Sequence, residues 1–203
     1  MLTLLLACAT TRAPVTPPVD PTTPWHARLD TTEGEVLLLV HPEWAPRAAA
    51  RFGELVEADA YSGARIYRVV PGFVAQWGLA ADPKVTATWQ ARPIRDELPR
   101  TNNRRGTVTF AASGAPDSRS LQVFVNLADN RHLDRSGFAP FAEVIAGMDV
   151  VDRWYSGYGE GAPMGTGPDQ PTAMMQGEAY FARAFPELDQ IRDVERAAPP
   201  PTP

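Results

Sequence analysis

Short alternating segments recur along most of this chain, and few folds accept them. "WHARLDT" sets Trp25, Ala27 and Leu29 against His26, Arg28 and Asp30, a period of two. "TEGE" supplies a turn and "EVLLLVH" follows as a more buried strand, so the pair predicts a hairpin. Further strands are predicted at 65–70, 73–77, 106–112, 121–126 and 138–144. Helical spacing interrupts this series in two places. "PEWAPRAAARFGELVEAD" gathers Ala48, Phe52, Leu55 and Val56 on one face, with Pro46 suited to a first turn. A second helix is predicted to start near Met148, with Val151, Trp154 and Tyr155 on its buried side. Many short antiparallel strands with two separated helices point to a closed barrel or a sandwich, and away from alternating βαβ units.

With 203 residues, 44% hydrophobic and 21% charged, the chain suits one substantial soluble domain. Its net charge is −5 and the basic residues are spread out, which argues against a nucleic-acid surface. His26, His41, His132 and the lone Cys8 lie far apart and lack metal-ligand spacing, so no metal site is predicted. The single cysteine also excludes an internal disulfide. "GYGEGAPMGTG", residues 157–167, lacks the Gly-Lys-Ser/Thr ending of a phosphate loop and reads as a surface loop.

At the start of the chain, "MLTLLLACATTRAP" places a small residue before Cys8 at the end of an apolar run. It resembles a bacterial lipoprotein signal, which implies lipid attachment at Cys8 and anchoring without a spanning helix. The expected location is then the bacterial cell envelope, facing the periplasm; without that signal the expectation is cytoplasmic. Residues 9–24 are rich in Pro and Thr and read as an extended tether, and 197–203 as a disordered tail, leaving 25–196 as the folded domain.

"IYRVVPGFVAQWG", residues 66–78, sets Arg68 in a strand that would prefer an apolar residue there, then turns at Pro71-Gly72. This run resembles the core motif of the cyclophilin family of peptidyl-prolyl cis-trans isomerases, Phe-His-Arg-Val-Ile-Pro-Gly-Phe-Met-x-Gln-Gly-Gly. "GTVTFAASGAPDSRSLQVFVN" and "HLDRSGFAPFAEVIAGMDVVD" are similar to two later family blocks and come in the family's order. The resemblance spans about 90 residues. It implies a mainly β fold, a closed eight-stranded antiparallel barrel capped by two α-helices, with the substrate groove on the outside.

The resemblance also implies a site. Arg68 is the catalytic position, donating to the prolyl nitrogen as the amide twists. Phe73, Phe124, Leu133 and Phe138 match the proline pocket, and Gln76 and Gln122 match groove glutamines that hold substrate backbone. Gln122 and Phe124 are two apart, so a strand sets them on one face. Five departures from the family pattern accompany these matches. Val74 replaces a Met, Ala112 and Ser113 follow Ala111 where Asn-Ala is common, Phe138 stands near a usual His, and His132 replaces the Trp of drug-sensitive members. Trp77 replaces a Gly and is expected to thicken the groove rim. The implied activity is isomerisation of Xaa-Pro bonds without a cofactor. The implied partners are extended or unfolded proline-containing segments, and the protein is expected to be a monomer. The alternative is a non-catalytic chaperone or scaffold module that holds such segments in the same groove. A hydrolase has little support, since no histidine, serine and carboxylate share a recognisable motif.

Overall fold

Alternation in the first hairpin decides which face of the sheet becomes core. In a computed structural model, which describes residues 22–200, β1 (Trp25–Thr31) and β2 (Gly34–Val40) pair antiparallel around a two-residue turn. Ala27, Leu29, Val36, Leu38 and Val40 are all buried beneath it. The remaining strands are β3 (Arg68–Val70), β4 (Val74–Trp77), β5 (Thr107–Phe110), β6 (Val123–Asn126), β7 (Pro140–Ala146) and β8 (Ile191–Ala197). Every strand predicted from the sequence is present, most of them shorter than expected, and β8 adds an eighth from Ile191 onward. The sheet has eight strands in the order β3-β4-β6-β5-β7-β2-β1-β8, all antiparallel.

Two expectations need correction. The sheet is curled but not a fully closed barrel, because β3 and β8, at its two ends, form no ladder with each other. The residues ahead of β3 bridge the gap instead. Gly63 N–H donates to the Ile191 carbonyl at 2.8 Å, Ile66 N–H to Asp189 at 2.9 Å, and Ile191 N–H to Ala64 at 2.8 Å. The described residues also hold five α-helices where two were expected. These are α1 (Pro46–Glu57), α2 (Pro83–Gln90), α3 (Met148–Arg153), α4 (Gln170–Gln176) and α5 (Glu178–Ala184). The predicted helices are α1 and α3. The others span two turns or so and bury one or two side chains each, such as Ala173 on α4 and Phe181 on α5. A stripe that short leaves no readable 3.6-residue period.

Inside the curl, Phe141 lies 5.1 Å from both Phe52 of α1 and Phe110 of β5, centroid to centroid. Trp77 belongs here too, edge-on to Trp154 at 5.9 Å and 1% exposed, so it does not thicken the groove rim. Its register explains this: Ala75 and Trp77 point inward, while Val74 and Gln76 point to the other face. A second, smaller cluster of Tyr67, Leu79, Ala173, Phe181 and Leu188 clamps α4 and α5 against the strands that carry Arg68. The proposed lipidation at Cys8 and most of the tether fall outside the described residues, as do 201–203.

Candidate functional site

Strand register lines up the site before any loop is considered. Arg68 on β3 pairs with Gln76 on β4, and Gln76 pairs with Phe124 on β6, so the three form a row across the outer face. Val74, two residues from Gln76, shares that face. Between β3 and β4 the chain reverses through Pro71-Gly72, with Phe73 N–H donating to the Val70 carbonyl at 2.9 Å. Gly72 has φ +74°, and Pro then Gly at the central positions is what a type II turn requires. The turn brings Phe73 back under Arg68, whose guanidinium carbon sits 5.5 Å from the ring centroid.

The opposite side is carried by a 3-10 turn at Arg131–Ser136, which supplies Leu133, and by Phe138, edge-on to Phe124 at 5.8 Å. Buried amides hold these pieces. Asn130 donates to the Phe73 carbonyl at 2.8 Å and to the Asn126 side chain at 2.9 Å. Asn103, fully buried, donates to the Phe138 carbonyl and to Asp134, both at 2.8 Å, and accepts from Thr109 at 2.9 Å. The buried amides of Asn103, Asn126 and Asn130 thus find partners in one another and in the strands, which makes the scaffold rigid.

The result is a pocket of about 390 Å³ lined by Arg68, Phe73, Val74, Gln76, Ala111, Ala112, Phe124, Leu133 and Phe138, all singled out from the sequence. Three predicted positions sit beside it. Ser113 and Gln122 line an adjoining groove that shares Gln76, Ala111 and Ala112. His132 is exposed on the rim, its ring 6.0 Å from Phe73.

A third side was missed in the sequence. Glu160, Gly161, Ala162, Met164, Pro168 and Gln170 also line the pocket, brought there by the Gly-rich loop and the start of α4. Glu160 takes Arg68 side-on: Nε donates to Oε1 at 2.6 Å and Nη2 to Oε2 at 2.7 Å. Arg68 Nη1 donates to Gln76 Oε1 at 3.1 Å. Tyr67, also unremarked, donates its hydroxyl to Gln122 Oε1 and accepts from Gln76 and Gln170. Gln122 Oε1 further accepts from Gln76 and Gln170, each at 3.0 Å. Burial pushes the Tyr67 phenol far above its ordinary range, so it stays protonated. Hydrogen bonding to Arg68 holds the Glu160 carboxyl below its ordinary value, against the opposing effect of desolvation. One signal for Glu160 was available: it is the sole charged residue among the closely spaced glycines of 157–167. Chemically, the arrangement offers an apolar socket with an aimed N–H donor at its edge, and none of the three histidines lies in its lining.

Comparison with known proteins bears on this arrangement. The family model for cyclophilin type peptidyl-prolyl cis-trans isomerase/CLD matches residues 26–175. Peptidyl-prolyl cis-trans isomerase A of Dickeya dadantii is 36% identical over 138 residues, covering 65% of this chain and 72% of that protein. The Acinetobacter baylyi isomerase is 37% identical over 131 residues, covering 62% and 69%. Among solved structures, a Cryptosporidium parvum cyclophilin aligns with a TM-score of 0.65 at 19% identity, covering 88% of this chain and all of that one. AquaCyp293 from Hirschia baltica aligns at 0.62 and 20%, covering 89% and 77%.

Proposed function

This chain belongs to the cyclophilin-type peptidyl-prolyl cis-trans isomerases, and from that membership we propose that it turns Xaa-Pro bonds in the pocket beside Arg68, with that guanidinium as the donor to the twisting amide. The barrier to be lowered is about 18–20 kcal/mol, because resonance gives the peptide bond double-bond character. No covalent bond breaks. As the amide twists, the prolyl nitrogen pyramidalises and gains a lone pair that the planar isomers lack. A donor that meets this lone pair stabilises the transition state more than either ground state, which is what raises turnover. Phe73, Phe124, Leu133 and Phe138 hold the proline ring, and Val74 gives that socket a small, stiff wall. Gln122, its side-chain oxygen already taken by three donors, would meet a substrate through its amide nitrogen.

The observation that carries this reading is the position of Arg68, one-fifth exposed at the edge of an apolar pocket and in register with Gln76 and Phe124. Clients are extended, proline-containing polypeptide segments. Secreted or envelope proteins would be the natural ones if Cys8 carries a lipid, and fatty-acid labelling of the full chain tests that point. A second reading, in which the groove only holds proline segments, draws on the ion pair with Glu160, which already matches the Arg68 charge. One assay separates them. Arg68→Ala should lower the isomerisation rate constant on a short Xaa-Pro peptide by about a hundredfold or more, the scale of losing one transition-state donor. A parent that binds the peptide without accelerating it would leave the holding reading.

A further inference from the structure

Arg68 has a long side chain, and its value to an amide depends on where its N–H groups point. A guanidinium carries five such hydrogens in one plane. Among the described residues, Glu160 takes one on Nε and one on Nη2, and Gln76 takes one on Nη1. One hydrogen on each terminal nitrogen is left, and the one on Nη2 lies at the edge of the guanidinium away from Nε. The carboxylate therefore spares part of the donor set while pinning the plane.

The loop around Glu160 is built to hold that carboxylate. Gly161 N–H donates to Glu160 Oε1 at 3.0 Å, and Gly167 N–H donates to the Glu160 carbonyl at 2.8 Å. Gly165 N–H donates to Gly161 at 3.0 Å, and Gly161 bridges Gly167 in parallel. A Cβ on Gly165 would stand 2.4 Å from the Glu160 carbonyl oxygen, and one on Gly167 would stand 2.8 Å from it. The glycines at 165 and 167 allow the backbone to close around this one residue.

We propose that Glu160 is a positioning residue for isomerisation: it locks the Arg68 guanidinium plane so that the remaining N–H groups are aimed at the prolyl nitrogen. This rests on Arg68 being the donor. Pinning has two effects of opposite sign. It removes reorganisation at the moment the amide twists, which favours catalysis. It also offsets the positive charge, which would oppose catalysis if Arg68 acted as a bare cation. The bidentate geometry favours the first effect, since a side-on carboxylate fixes orientation as well as charge. Arg68 here works as a directed hydrogen-bond donor.

The test compares kcat and KM on a short Xaa-Pro peptide for the parent, Arg68→Ala, Glu160→Gln, and Gly165→Ala. Gly165→Ala retains every charge but crowds the Glu160 backbone. Expected are a roughly tenfold fall in kcat for Glu160→Gln and Gly165→Ala, KM within about twofold of the parent, and no added loss when Glu160→Gln is combined with Arg68→Ala. The Arg68 Nε–H NMR signal, assigned by its absence in Arg68→Ala, should be sharp and slow to exchange in the parent and lose that protection in Glu160→Gln. Circular dichroism and thermal unfolding verify that each variant is folded. An unchanged or higher kcat in folded Glu160→Gln, with Arg68→Ala still impaired, would overturn the positioning role alone. An unimpaired Arg68→Ala would instead overturn the donor reading beneath it.

Discussion

Phe124 and Glu160 line the same pocket, yet one is held by strand register and the other by a loop folded tightly on itself. Behind Phe124 lie the sheet ladder and a buried lattice of Asn103, Asn126, Asn130, Thr107 and Thr109. Behind Glu160 lie glycine contacts, the ion pair with Arg68, and the small apolar cluster under α4 and α5. A disturbed sheet side should unfold the domain, because its polar groups have no water to turn to. A disturbed loop side should mostly misaim groups that remain partly solvated. On the proposed reading the sheet side carries both the stability and the donor Arg68, and the loop side only aims that donor.

The sharpest way to break that comparison is Asn103→Ala. The change removes a side chain that serves Phe138, Asp134, Thr109 and Asn126 together, and it strands buried partners. A loss of about 3 kcal/mol in unfolding free energy is expected from such a network. Chemical denaturation of the described domain measures it. A loss below about 1 kcal/mol, the ordinary net worth of one hydrogen bond, would mean that the sheet side does not depend on its buried amides.

How legible each side was in the sequence follows from the same division. The β-rich run and the Pro71-Gly72 turn mark β3 and β4, and strand period sets Gln122 and Phe124 on one face, while the groove placement of Arg68 and Gln76 follows from the family resemblance. The resemblance supplied Phe73, Phe124, Leu133 and Phe138 as a group that periodicity would have scattered through the core. Trp77 went astray because its novelty against the family pattern outweighed its parity with Ala75. Glu160 and Gln170 went unread for a different reason. They are distant in sequence from Arg68, one in a loop closed by glycine packing and the other at the start of a two-turn helix, and neither lies in a segment with a readable period. Asn103 and Asn130 were invisible too, since a polar residue looks like surface until its partners are known.

Gln170→Ala addresses the loop side at intermediate cost. Its amide donates to Tyr67 at 2.8 Å and to Gln122 at 3.0 Å, which ties the first residue of α4 to the Gln76 row. Both acceptors keep other donors, so stability should fall by only about 1 kcal/mol. Turnover should fall severalfold, since Tyr67 and Gln122, which accept from Gln76, lose a neighbour that orders them. A stability loss as large as that of Asn103→Ala would erase the distinction between the two sides. Paired denaturation and isomerisation measurements on the same preparations decide it.

The smallest effect concerns acid. Glu160 has a carboxyl held below its ordinary value, chiefly by hydrogen bonds from Arg68. A depressed carboxylate binds fewer protons folded than unfolded, so it adds stability above the unfolded value, about 4.3, and loses it as pH falls through the folded value. Its side chain is 37% exposed, and screening by water keeps the contribution under about 1 kcal/mol. The difference in unfolding free energy between the parent and Glu160→Gln should therefore be level from pH 7 to about 5 and shrink below about 4. Raising salt to about 1 M should lower the plateau, because solvent ions reach a pair this open. A difference that grew toward acid would require a raised carboxyl, and with it a pocket in which desolvation outweighs Arg68. That outcome would move Glu160 from the partly solvated side of the comparison to the buried one.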